Sequence, residues 1–312
     1  VLLKLLLRRD RSVVTIYLVL IVLFVIPSLI SPVFRTSRNF SNILHQAASL
    51  GIVSIGQTFI VLLTGLDLSV GSVMSLTTVL CASLMTKAPV TIFTTVLLCL
   101  AAGAGVGLAN GLLVSKARLS PLIATLGMMA LIQGIALQIR PYPGGYVPRN
   151  FGGVITGNLY FVPVPAIILV LVFVAAIIIL RKTVLGNYLY ATGGSEENAR
   201  LAGINIDLVK ISAYTICGLI AVVAGLVLTG RIRSGDPLVG TSFPLDSITA
   251  VIVGGTPFAG GRGGVEGTIA GALIIAMLSN MLNLLDVSSF YQYIVKGLIL
   301  ITAVVIYSLR RR

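Results

Sequence analysis

The chain has 312 residues, 57% of them hydrophobic and only 10% charged, with a mean hydropathy of +1.06 and a formal net charge of +13. Its apolar residues come in runs of roughly bilayer-spanning length, which excludes a single soluble core. The basic excess flanks those runs, a pattern that fits loop anchoring in a polytopic membrane protein and argues against nucleic-acid binding.

From the N-terminus, Lys4, Arg8, Arg9 and Arg11 precede an apolar run over Val13 to Ile30. The run is long, contains Pro27 and lacks a small-x-small cleavage site, so it reads as a retained first span with a cytoplasmic start rather than as a signal peptide. Apolar windows then predict spans near 13–31, 43–64, 70–86, 91–114, 122–139, 163–180, 208–230, 246–258, 267–285 and 291–309. About ten spans place both termini on one side. On that register Lys116, Arg118, Arg181, Lys182, Arg200, Arg262 and the terminal basic clusters fall inside. Arg35, Arg38, Lys87, Arg140, Arg149, Arg231 and Arg233 fall outside, a bias of roughly two to one toward the cytoplasm. The expected architecture is a single all-α transmembrane domain over 1–312, with an outer loop at about 140–162 and a cytoplasmic segment at about 186–207.

Two segments interrupt the apolar pattern. In TGLDLSVGS, Thr64 to Ser72, two glycines and an aspartate stand where a lipid-facing helix would leave backbone unsatisfied. A broken helix buried in protein resolves this, with Asp67 or Ser69 capping a half-helix that starts near Val70. An ion-coupling role for Asp67 is the sharper reading and a helix-break strut the blander one. The second interruption, GGTPFAGGRGG, spans Gly254 to Gly264, and aligning VLLTGLD with VIVGGTP pairs Val61 with Val251 and Gly65 with Gly255. This is a weak internal repeat. Corresponding broken segments in two halves of a transporter point to a translocation site, so Gly65, Asp67, Ser69, Gly71, Gly254, Gly255, Gly260 and Gly261 become pathway candidates. Neither segment is a nucleotide loop, because no GK[ST] follows the glycines.

Gly103, Gly107 and Gly111 recur every fourth residue and predict a tight helix seam, with Asn110 beside them as interhelical glue or a pathway group; Gly267 and Gly271 repeat the device. Catalytic chemistry is sparse. His45 is the only histidine and has no motif around it, and Cys81, Cys99 and Cys217 lie inside apolar runs without metal or redox spacing. Asp236 and Asp246 bracket a predicted outer turn, Glu266 opens a helix and Asp286 ends one. Lys296, deep in a span, is expected first to snorkel, with Asp286 or a cavity as alternatives. The absence of an acid, base or metal cluster favours solute movement over catalysis.

The island GNYLYATGGSEENARLAGINID, Gly186 to Asp207, holds three of the nine acidic residues. Ser195 can cap a short helix through Glu196, Glu197, Asn198, Ala199, Arg200 and Leu201, with the acids at its start, Arg200 in its last turn and Gly203 ending it. Such a helix, with Ala199, Leu201 and Ile204 as its apolar edge, suits docking into a groove on a soluble partner. A plain amphipathic helix on the membrane surface is the alternative.

Four motifs in order, LTGLDLSVGS at 63–72, GLANGLLVSKARLSPLIATLG at 107–127, GNYLYATGGSEENARLAGI at 186–204 and VIVGGTPFAGGRGGVEGTIAGA at 251–272, make the chain resemble the ribose-type permease family of bacterial ABC importers. The resemblance covers nearly the whole chain. It implies an inner-membrane permease of about ten helices, paired with a second permease copy, two cytoplasmic ATPases and an extracytoplasmic solute-binding protein. ATP and Mg are then used by the partner ATPase, and no cofactor is bound by the chain itself. Gly193 to Gly203 matches the family's ATPase-contacting loop, so Gly193, Gly194, Ser195 and the helix behind them would couple hydrolysis to alternating access. The broken segments would open a cavity with Gln57, Thr58 and Asn110 as lining candidates. The chain has no Trp to stack on a sugar ring, in keeping with recognition residing in a separate binding protein. A secondary transporter driven by an ion gradient through Asp67 or Lys296 is the alternative.

Overall fold

The computed structural model describes residues 11–160 and 162–309; Lys4, Arg8, Arg9 and Arg310 to Arg312, part of the terminal basic bias, lie outside the described residues. Helices dominate. In chain order they are α1 (Arg11–Ile30), α2 (Ser37–Leu62), α3 (Val70–Leu84), α4 (Pro89–Ser115) and α5 (Pro121–Ile139). A short α6 (Arg149–Thr156) follows, then a hairpin of β1 (Asn158–Leu159) antiparallel to β2 (Val162–Pro163), then α7 (Val164–Lys182). The second half holds α8 (Val184–Gly194), α9 (Glu196–Leu201), α10 (Ile206–Ile232), α11 (Phe243–Val253), α12 (Val265–Leu284) and α13 (Ser289–Leu309).

Local chemistry explains many of the boundaries. Thr36 Oγ1 accepts from the Asn39 N–H at 3.2 Å and opens α2. Pro89 and Pro121 open α4 and α5 at positions where an N–H would have no helical partner. Among the described residues α2, α4, α5, α7, α10 and α12 are long and apolar enough to cross a membrane, while α1, α3, α11 and α13 supply shorter apolar stretches. Each of the ten apolar windows therefore holds a helix. α2 begins six residues before its window, because the polar turn Ser37 to Ser41 continues the helix behind its threonine cap. α11 stops five residues short of its window, where the Gly254 and Gly255 pair ends it with the Thr256 N–H bonded back to the Val251 carbonyl at 3.1 Å.

The helix α2 runs through the middle of the bundle against α7, α10, α11 and α12. Two polar pairs join it to α12: Asn39 and Asn280 exchange amide hydrogen bonds of 3.1 and 2.8 Å, and the Thr58 and Thr268 hydroxyls lie 2.8 Å apart. The predicted glycine seam joins α4 to α10, with Gly103 against Gly218, Gly107 against Tyr214 and Thr215, and Gly111 against Ile211. Gly267 and Gly271 bring α12 equally close to Gly254 and Ala250 at the end of α11.

Candidate functional site

Three arrangements carry the polar chemistry of the bundle. The first gathers at the end where α2 finishes. Ser195 N-caps α9, its Oγ accepting from the Asn198 N–H at 3.2 Å, and Glu196 and Glu197 occupy the first turn with Arg200 in the last. Gly203, at φ +80°, closes the helix with its N–H on the Arg200 carbonyl at 2.9 Å. Ala199 is buried while Leu201 is 82% exposed, so the apolar edge expected of this helix is divided between the bundle and the outside. The island also contains a helix that its composition does not suggest: α8 carries NYLYATGG, capped by Thr183 through the Gly186 N–H at 3.3 Å.

Gly193 at the end of α8 lies so close to the Leu62 carbonyl that a Cβ there would overlap it. The same carbonyl, the last of α2, accepts the Gly261 N–H at 2.9 Å. Gly260 packs on Thr64 and the Gly193 carbonyl, Gly261 packs on Gly194, and Tyr190 donates to the Gly263 carbonyl at 2.9 Å. The two interrupted segments singled out in the sequence thus meet each other and the base of α9 in one backbone junction. Beside it opens a cavity of about 1080 Å³, lined by Gly65, Lys116, Arg118, Glu196, Arg200, Asp207, Lys210 and Tyr214 among others. Lys116 pairs with Asp207 at 2.7 Å and Lys210 with Glu196 at 2.6 Å, which ties α9 to the start of α10.

The second arrangement is the helix break itself. Asp67 is 1% exposed, and its Oδ1 accepts the Ser69 N–H at 2.9 Å and the Ser69 hydroxyl at 2.6 Å. Asn110 donates to Ser69 Oγ at 2.9 Å. Gln57, with its amide oriented to satisfy both atoms, donates to the Asp67 carbonyl at 3.2 Å and accepts from the Asp67 N–H at 3.1 Å. The cap expected at Val70 is not made: Ser69 occupies the cap position in a helical conformation and its hydroxyl turns to Asp67 instead. Gln57, Thr58, Asp67, Ser69 and Asn110 are all buried, whereas Gly65 lines the cavity below them. Gly71 is pressed against the Gly240 carbonyl and Pro244, so α3 also touches the irregular chain 233–242 that leads into α11. Gly254 and Gly255 stand at the end of α11, whose Val251 and Ile252 pack in one cluster with Val61, Leu66 and Leu68.

The third arrangement has no counterpart in the sequence expectations. Asp246 is placed inside the first turn of α11, not in an outer turn, and its Oδ2 receives Lys296 Nζ at 2.9 Å. Lys296 therefore neither snorkels nor reaches Asp286. Only chain distance hid this pair, since fifty residues separate its members. Glu266 opens α12 as expected and forms an ion pair with Arg181 of α7. Among the described residues no group of three or more metal-ligating side chains comes together.

A bundle of apolar helices with buried backbone breaks and a short capped helix at one end belongs to the class of membrane transport proteins. Residues 39–304 match the family model described as the branched-chain amino acid transport system / permease component. The chain is 42% identical over 292 residues to the ribose import permease protein RbsC of Escherichia coli (strain K12), covering 92% of this chain and 91% of that one. It is 41% identical over 295 residues to the ribose import permease protein RbsC of Bacillus subtilis (strain 168), with 93% and 91% covered. Against the xylose transport system permease protein XylH of Escherichia coli (strain K12) it is 34% identical, with 87% and 85% covered. No solved structure matches. The chain belongs to this permease family, and as such it is a multi-pass transport subunit and not an enzyme.

Proposed function

We propose that the chain forms the membrane pathway of an ABC importer for a pentose such as ribose, driven by separate cytoplasmic ATPases that bind ATP and Mg and fed by an extracytoplasmic binding protein. The names of its ribose and xylose relatives support the cargo class. About ten spans, with both termini cytoplasmic and the α9 end inside, are consistent with the helix order and the basic residues there. A second permease copy, identical or similar, completes the unit within the lipid of the bacterial inner membrane.

The observation that carries the mechanism is the backbone junction at Leu62. A force applied to Glu197, Arg200 and Leu201 on the exposed side of α9 passes through Gly193 and Gly194 into the end of α2 and the loop 254–264. Those are the ends of the broken helices whose relative motion would expose Gln57, Thr58, Asp67, Ser69 and Asn110 to the cavity below Gly65. Gly71 acts at the top of the same break, and Gly254, Gly255, Gly260 and Gly261 at the bottom. Co-reconstitution with an ATPase and binding protein tests the proposal. Ribose uptake should require ATP and survive ionophores that collapse ion gradients; uptake that ignores ATP but stops with the ionophore would return the function to ion coupling through Asp67.

A further inference from the structure

The Asp246 and Lys296 pair lies at an unusual depth. The chain 233–242 runs beside α3 until Gly240 meets Gly71 near the start of that helix, while Ala82 near its other end meets Gly145 and Gly235. Gly71 and Ala82 are eleven residues apart, about 16 Å of helix. Asp246 follows beyond Gly240, and seven residues, about 10 Å of helix, still separate it from the end of α11 at Val253. Lys296 sits seven residues inside α13, whose exposed neighbours Ile294 and Leu298 are apolar.

The pair is not sealed. Its side chains are 12% exposed for Asp246 and 21% for Lys296. Charged groups within a bilayer face protein or a water-filled cavity, because acyl chains offer them no hydrogen bonds. The ammonium has three N–H donors, and one is committed to Asp246 Oδ2 at 2.9 Å. A neutral sugar hydroxyl both accepts and donates, so one hydroxyl can take an N–H from Lys296 while giving its own proton to the carboxylate. An adjacent carboxylate and ammonium, brought together from α11 and α13, form a hydroxyl-binding edge, not an anion or cation site, since their charges cancel.

We propose that the open side of the Asp246 and Lys296 pair faces the aqueous solute pathway and binds hydroxyl groups of the passing sugar. The proposal rests on the sugar-importer reading above and adds to it two residues on α11 and α13 that lie outside the broken segments at 63–71 and 254–264.

Cysteine labelling in proteoliposomes tests it, because all three native cysteines are buried. Ser242, one turn before Asp246 on the same helical face, is replaced by cysteine; Leu245→Cys, at a site 58% exposed, serves if that variant does not fold. A charged, membrane-impermeant thiol reagent should modify the cysteine, and D-ribose should slow the reaction severalfold where an osmotically matched salt does not. In the Asp246→Asn, Lys296→Gln double variant labelling should persist while ribose protection disappears. Reaction with only a lipid-soluble maleimide, or protection that is absent in the parent or unchanged in the double variant, overturns the proposal. Ribose uptake by the native protein, measured in parallel, separates these outcomes from a failure of the sugar reading itself.

Discussion

The helices α2 and α7 are both long and apolar, yet they occupy opposite environments. Among the described residues α7 has the most hydrophobic membrane-length window, only 17% of it buried, whereas that of α2 is the least hydrophobic and 83% buried. In water the order would be reversed. In a bilayer the lipid accepts apolar side chains as readily as protein does, so hydropathy marks the outer face and small or polar residues mark the interior. α2 shows this along its length, with Ser54, Gln57, Thr58, Gly51 and Gly56 on buried positions where α7 carries Val, Leu and Ile on open ones.

Substitutions that exchange these roles should differ by size. Phe59→Ala, in the enclosed part of α2, should cost about 3 kcal/mol, chiefly through the cavity it leaves, and lower the melting temperature of the purified protein. A drop no larger than that of a surface variant would mean that α2 is not central. Gln57→Leu should cost about 1–3 kcal/mol, since it strands the Asp67 N–H and carbonyl without a partner; hydrogen exchange at Asp67 reports the loosening directly. Leu171→Ala on α7, at a position 63% exposed, should change stability by less than about 0.5 kcal/mol. A large loss there would place α7 against another protein surface and not against lipid.

The same contrast explains what the sequence discloses. Window hydropathy finds the long helices, because even the buried α2 stays apolar over a membrane's length, and α9 is legible down to its cap because Ser195, the acids and Gly203 all lie within nine consecutive residues. The seam at Gly103, Gly107 and Gly111 is legible for the same reason: its period is local. Contacts made across the chain are not. Nothing near Lys296 announces Asp246, and nothing in GGRGG announces that Gly261 binds the Leu62 carbonyl beside Gly193. The helix α8 escapes notice because tyrosines, an asparagine and paired glycines give it no apolar period, and packing on α2 and α7 holds it instead. Asp67 shows the limit of local rules from the other side. Its sequence context invites a cap, but burial next to Gln57 and Asn110 turns it into the fastening of the break.

The central claim, that α9 passes the ATPase motion into the broken helices, is tested most directly by ATP-driven ribose uptake in vesicles carrying Glu197→Lys with Arg200→Glu. Both residues are exposed, Glu197 on the outside and Arg200 at the wall of the cavity, so the variant should fold, keep its melting temperature and lose at least tenfold in uptake. Uptake at the native rate with the ATPase still associated would contradict the account.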